Sequence, residues 1–103
     1  MTRRVFVNLN RFGRKSRTAH FTVLVARNGL GRSRLGITAS RKVGGAVVRN
    51  RVKRLIREVF RLHKEIFPQS CDIVISAGKS AGDLDFRKLR EELLERVSHS
   101  TLC

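Results

Sequence analysis

Residues 40–67 read SRKVGGAVVRNRVKRLIREVFRLHKEIF, and the fold turns on this run. At about 100° per residue, Val48, Val52, Leu55, Ile56, Val59, Phe60, Leu62, Ile66 and Phe67 gather on one arc, with His63 among them. Asn50, Lys53, Arg54, Arg57, Arg61 and Lys64 gather on the opposite arc. A period of about 3.6 residues therefore separates an apolar face from a basic one. Glu58 and Glu65 form only a narrow acidic edge. A merely solvated helix more often mixes its charge signs; this one carries a cationic stripe. Gly44 and Gly45 break the chain ahead of it, so the helix is expected to start near Ala46 and to end at or close before Pro68. Arg49 and Arg51 lie at the seams of the apolar arc, placed either to brace the fold or to reach out of the first turn.

An apolar helix face needs a sheet to cover, and the flanking segments supply one. HFTVLVAR at 20–27 is rich in branched and aromatic residues and is predicted as a strand. NGLGRS at 28–33 offers Asn-Gly and a second glycine, so RLGITAS at 34–40 is predicted as the antiparallel return strand, with Leu35, Ile37 and Ala39 on one face. CDIVISA at 71–77 is a third strand. Asp83 is the expected N-cap of a second amphipathic helix over 84–97, where Phe86, Leu89, Leu93 and Val97 recur at three or four. Upstream, residues 1–12 are read as a short helix turning in Phe6 and Leu9, with Gly13 as terminator. Residues 14–18 form an exposed basic segment, a candidate edge strand whose charge discourages pairing with another chain. The order is α-β-β-α-β-α, a helix-backed sheet with a parallel crossover through the basic helix. Residues 1–98 make one domain, and 99–103 a frayed tail.

The charge is lopsided. The 103 residues hold 23 Lys and Arg against 8 Asp and Glu, a net +15. Residues 1–57 carry 16 basic side chains and no acid; the remaining 46 carry 7 basic and 8 acidic. Such an imbalance speaks of a polyanionic partner. Cys71 and Cys103 suggest neither a disulfide framework nor a metal site, and Cys71, inside an apolar run, reads as a small core residue. No stretch resembles a signal peptide or a membrane span, which makes the cytoplasm the expected location; the polyanion is expected to be a nucleic acid and not an acidic membrane surface.

Catalysis by side chains finds little material. His20, His63 and His99 sit in different elements, and there is no glycine-rich phosphate fingerprint or metal-spaced Cys/His set. No catalytic residue is assigned. Phosphate recognition fits better, because helical spacing lets several cations follow a backbone. Arg41 and Lys42 add charge beside the glycine break. Gly44 and Gly45 either form a turn or let the backbone approach a phosphate. Asn50 brings no charge to the basic face, so it is either a specific hydrogen-bonding group or a neutral filler.

Ala46-Val47-Val48-Arg49-Asn50-Arg51-Val52-Lys53-Arg54-Leu55-Ile56-Arg57-Glu58, preceded by Ser40-Arg41-Lys42-Val43-Gly44, resembles the signature of the bacterial ribonuclease P protein family. Phe6, Leu9 and Gly13 match its N-terminal spacing. Arg34-Leu35-Gly36-Ile37 and Asp72-Ile73-Val74-Ile75 match its strands, so the resemblance spans nearly the whole chain.

The resemblance implies a two-layer α-β sandwich with a mostly antiparallel sheet and a left-handed βαβ crossover, against the usual handedness. It implies a protein subunit of a ribonucleoprotein endoribonuclease that removes the 5′ leader of precursor tRNA, with the catalytic centre in the RNA. The partners are then the catalytic RNA and precursor tRNA, with no obligate protein partner. Mg2+ is expected for the holoenzyme, held mainly by RNA, with none bound tightly by the protein alone. RNA contact falls to Arg41, Lys42, Arg49, Asn50, Arg51, Lys53, Arg54, Arg57 and Arg61. A cleft for the single-stranded leader is expected to use Phe6, Arg14, Lys15, Arg17, Phe21 and Val23, with stacking as its physical basis. Family members often carry further aromatics where this chain has Asn10 and Leu24. Two other readings share the basic helix: a structural RNA-binding protein of the ribosomal kind, and a DNA-binding regulator. The second is disfavoured by the strands around the helix and the lack of a dimerisation element.

Overall fold

The structure, a computed structural model, describes residues 14–67 and 70–98. Four strands form, β1 (Arg14–Arg17), β2 (Phe21–Arg27), β3 (Arg34–Ala39) and β4 (Cys71–Ala77). Two α-helices accompany them, α1 (Ala46–Leu62) and α2 (Phe86–Ser98), with short 3-10 turns at Arg41–Val43 and Ala81–Asp83. The helix expected at 1–12 and the tail at 99–103 fall outside the described residues, as do Phe6, His99 and Cys103.

The sheet order is β1-β2-β4-β3. β1 pairs antiparallel with β2, β2 antiparallel with β4, and β3 parallel with β4. The sheet is therefore mostly antiparallel, and β1 is the basic edge strand that its charges suggested. The hairpin expected between β2 and β3 is corrected: the two run in opposite directions, but β4 lies between them. The reason is burial. Six of the seven residues of β4 are buried, and a strand covered on both faces belongs at the centre of a sheet. Asp72 reinforces the arrangement by accepting from Arg34 Nε and Nη2, each at 2.6 Å, and from Asn28 Nδ2 at 3.0 Å. The 28–33 connection is thus tied to β4 and not folded into a tight hairpin.

Strand alternation gives each face a distinct job. On one side Phe21, Val23 and Val25 of β2 join Cys71, Ile73, Ile75 and Ala77 of β4, with Leu35, Ile37 and Ala39 of β3 packed beside them. Both helices cover this face. α1 contributes Val52, Ile56 and Val59, and α2 contributes Leu89, Leu93 and Val97. The apolar arc of α1 is thus buried as its period required. Its last turn is the exception, since the helix stops at Leu62, which is 46% exposed. Phe67 lies beyond the helix yet is buried, with its ring 5.0 Å from that of Phe60 at 71°.

α2 begins two residues later than expected, and its cap is Asp85, not Asp83. Asp85 Oδ1 accepts from the Lys88 N–H at 2.8 Å, satisfying one of the orphan donors of the first turn. Asp83 instead closes the preceding 3-10 turn. That turn packs tightly on α1: a Cβ added at Gly82 would lie 2.6 Å from Val48 Cγ1 and 3.0 Å from the Val43 carbonyl. Cys71 is buried, as expected, but it is not a free thiol. Among the described residues no helix is long and apolar enough to cross a membrane.

Candidate nucleic-acid interface

The basic arc of α1 sorts into cations that the fold uses and cations that it leaves available. Arg51 is used. Its Nη1 donates to the Gly82 carbonyl at 2.9 Å and its Nη2 to the Leu84 carbonyl at 3.1 Å. The guanidinium fork straps the first turns of α1 to the segment leading into α2. Arg61 is used too, donating through Nε and Nη2 to the two carboxylate oxygens of Glu58. That pair holds the Glu58 carboxyl below its usual range and raises Arg61. By contrast, Asn50, Arg54 and Arg57 are exposed and Lys53 is half-buried, and none of the four makes a side-chain hydrogen bond or ion pair among the described residues. Arg41 and Lys42 are likewise exposed and unpaired there. Arg49 is half-buried, and its Nε is buried without a hydrogen-bond partner, a costly state for a donor.

The start of α1 carries no acid in its first turn and no side-chain cap, with exposed Gly45 at the N-cap. Helix N-termini favour anions, so uncapped N–H groups beside Arg41 and Lys42 suit a phosphate and not another cation. The two glycines differ in kind. Gly44 sits at φ 148° with its Cβ position 3.0 Å from Val48, so the turn itself demands glycine. A Cβ at Gly45 would meet nothing within 4 Å, which leaves the helix start open to a backbone-sized ligand.

The sheet face opposite the helices is arranged in rungs set by the strand register. Arg17, Thr22, Ser76 and Thr38 align across all four strands, and Lys15, Leu24, Val74 and Gly36 form the next rung. Ala26, Asp72 and Arg34 form a third. Thr38 Oγ1 donates to Ser76 Oγ at 2.8 Å. Leu24, Val74 and Ala26 make a small second apolar cluster.

Of the residues expected in a leader cleft, Lys15 and Arg17 therefore point to this face from the edge strand, both exposed. Phe21 and Val23 do not. Each is 2% exposed and packed under the helices, so their assignment to an open cleft is corrected. The β2 side chains on the opposite face are Thr22, Leu24 and Ala26. Arg14 lies on β1 and pairs with Val25 in the register. Phe6 falls outside the described residues. A period of two puts Phe21, Val23 and Val25 on one face of β2 and Thr22, Leu24 and Ala26 on the other, but HFTVLVAR is apolar at enough positions of both registers to leave open which face the helices cover.

Two acids are engaged away from the basic stripe of α1. Asp72 is nearly buried, and the Arg34 guanidinium, helped by Asn28, holds its carboxyl below the usual carboxylate range. Glu92 on α2 clasps the β1–β2 turn: Thr18 Oγ1 and the His20 N–H donate to Oε2, and Oε1 lies 2.7 Å from His20 Nδ1. Burial pushes the Glu92 carboxyl up, but the hydrogen bonds from Thr18 and His20 outweigh it and leave it below its ordinary value. Among the described residues no group of three or more His, Cys, Asp or Glu gathers to hold a metal.

The chain matches a family model described as Ribonuclease P over residues 1–100. It is 45% identical over 91 residues to a protein of Syntrophus aciditrophicus (strain SB) described as "Ribonuclease P protein component", covering 88% of this chain and 76% of that protein. A protein of Thermotoga maritima with the same description is 41% identical over 96 residues, covering 89% and 82%. Among solved structures, the chain is similar to the RNase P protein from Thermotoga maritima, with a TM-score of 0.88 at 37% identity over 95% of this chain and 93% of that one. The Staphylococcus aureus RNase P protein superposes with a TM-score of 0.85 at 33% identity, over 94% and 88%.

Proposed function

Because this chain belongs to the ribonuclease P protein family, we propose that it binds the catalytic RNA through α1 and the 5′ leader of precursor tRNA through the open face of its sheet. At the coarser level it is a protein component of ribonuclease P, a ribonucleoprotein endoribonuclease of tRNA processing. One observation carries the finer reading. Lys53, Arg54, Arg57 and Asn50 stand on one helix face without partners among the described residues, beside an uncapped helix start. Unpaired, solvated cations at helical spacing neutralise successive phosphates and release their counterions. Asn50 then supplies a directional hydrogen bond beside these cations. Lys15 and Arg17 screen a leader that crosses the sheet from its β1 edge.

The chemistry belongs to the RNA. Glu58, Asp72 and Glu92 are engaged by Arg61, by Arg34, and by Thr18 with His20, which supports a Mg2+ held by the RNA rather than by these carboxylates. We assign the Mg2+ of the holoenzyme to the RNA and no catalytic base to the protein. The protein lowers RNA–RNA repulsion and holds the leader, in the cytoplasm where tRNA precursors are processed. Reconstitution tests this. Added to ribonuclease P RNA at low Mg2+, the protein restores leader removal; two folded components that show no stimulation would overturn the proposal.

A further inference from the structure

A small recess at the far end of α1 belongs to neither of these surfaces. It is a cavity of about 200 Å³ between the β2–β3 connection and the end of the helix, lined by Gly31, Arg32, Ser33, Phe60, Lys64 and Phe67. Phe67, 2% exposed, packs edge-on against Phe60 and fixes its ring. Phe60 is half-buried and lies at the seam where the apolar arc of α1 meets the basic one. Arg32 and Lys64 stand exposed at the rim, and no carboxylate lines the recess.

We propose that this recess receives one unpaired nucleobase of the RNA partner, packed against Phe60, with Arg32 and Lys64 on the phosphates that flank it. Three features select this occupant. The volume is below the roughly 300–1,000 Å³ of a drug-sized ligand pocket, so it suits a single ring system. An aromatic wall between two cations is the general arrangement for holding an extruded base of a single-stranded segment. An apolar peptide side chain would have no use for two cations. Lys64 stands in the turn just past the end of the helix that carries Lys53 and Arg57, so an RNA strand that runs the length of that helix arrives at the recess. The inference rests on the RNA-binding reading of α1 and extends it to a second, base-accepting contact.

The test uses the full chain and its own ribonuclease P RNA. Arg32→Gln with Lys64→Gln alters only exposed side chains and should lower the slope of log affinity against log salt by about two. Phe60→Leu, checked as folded by circular dichroism, should weaken binding about tenfold through lost stacking. Ultraviolet cross-linking of the wild-type complex should join a nucleotide to a peptide spanning the recess. An unchanged slope in the double variant, or wild-type affinity in Phe60→Leu, overturns the proposal while leaving RNA binding by α1 intact. A wild-type protein that fails to bind the RNA overturns both. A recess that takes an apolar peptide and cross-links to no base also overturns it.

Discussion

Arg51 and Arg57 are chemically alike and six positions apart on one helix, yet they answer different questions. Arg51 spends its donors on the Gly82 and Leu84 carbonyls, whereas Arg57 has no partner among the described residues. Arg57→Ala or Lys53→Ala should therefore lower the salt slope of RNA binding by about one and leave thermal stability nearly unchanged. Arg51→Ala should lower the unfolding midpoint by a few degrees; a mutant as stable as the parent would refute the bracing role. Phe21→Ala, at a buried position, should cost about 3–5 kcal/mol, a core effect read by urea denaturation rather than a loss specific to leader-bearing substrate. Titration is decided at this scale too. Asp72, held down by Arg34, and Glu92, held down against its burial by Thr18 and His20, both have folded pKa values below their unfolded ones. The unfolded chain then takes up protons first, so their stabilisation is complete above about pH 5 and is lost as pH falls through and below about pH 4. Unfolding midpoints measured from pH 7 to pH 3 should decline less steeply in an Asp72→Asn, Glu92→Gln double variant, relative to its own value at pH 7.

Elements were legible to the extent that their signals were local. The period of α1, the apolar run of β4 and the recurrence in α2 each lie within one segment, and each element formed in its expected segment, with the end of α1 and the start of α2 shifted. Asp83 and Asp85 both satisfy the sequence rule for a cap; only the 3-10 turn, fixed by contact with α1, decides between them. Pairing order was not legible, because Asn28-Gly29 advertises a hairpin within ten residues while β4 inserts from more than forty residues away. The face of β2 that meets ligand was hidden for a similar reason. Phe21 looked like a stacking aromatic, and nothing in its own strand says that both helices will land on it. Gly82 gives a test of the contact between elements. Gly82→Ala should destabilise by about 1–3 kcal/mol through overpacking against Val48, and Val48→Ala in the same chain should recover part of the loss. A Gly82→Ala protein with parental stability would show that the turn and helix do not pack as closely as described.

Over the whole molecule, charge and topology act together. With 16 cations and no acid in its first 57 residues, the isolated chain repels itself when folded at low ionic strength. Sulfate or phosphate, binding the folded state alone, should raise its helical circular dichroism and its unfolding midpoint; an anion-independent, fully folded chain would contradict this. The legible part at this scale was the polyanionic partner, since composition survives any arrangement of the strands. The central place of β4 has a further consequence during synthesis. Until residues 71–77 leave the ribosome, β3 has no hydrogen-bonded neighbour and β2 has only the short β1. The nascent chain at that stage is a cationic ribbon with half a sheet, and the strand that closes it is followed by most of the compensating acids. Assembly is therefore gated by the late arrival of one strand, and an RNA that engages the basic half earlier meets a chain that has not yet folded.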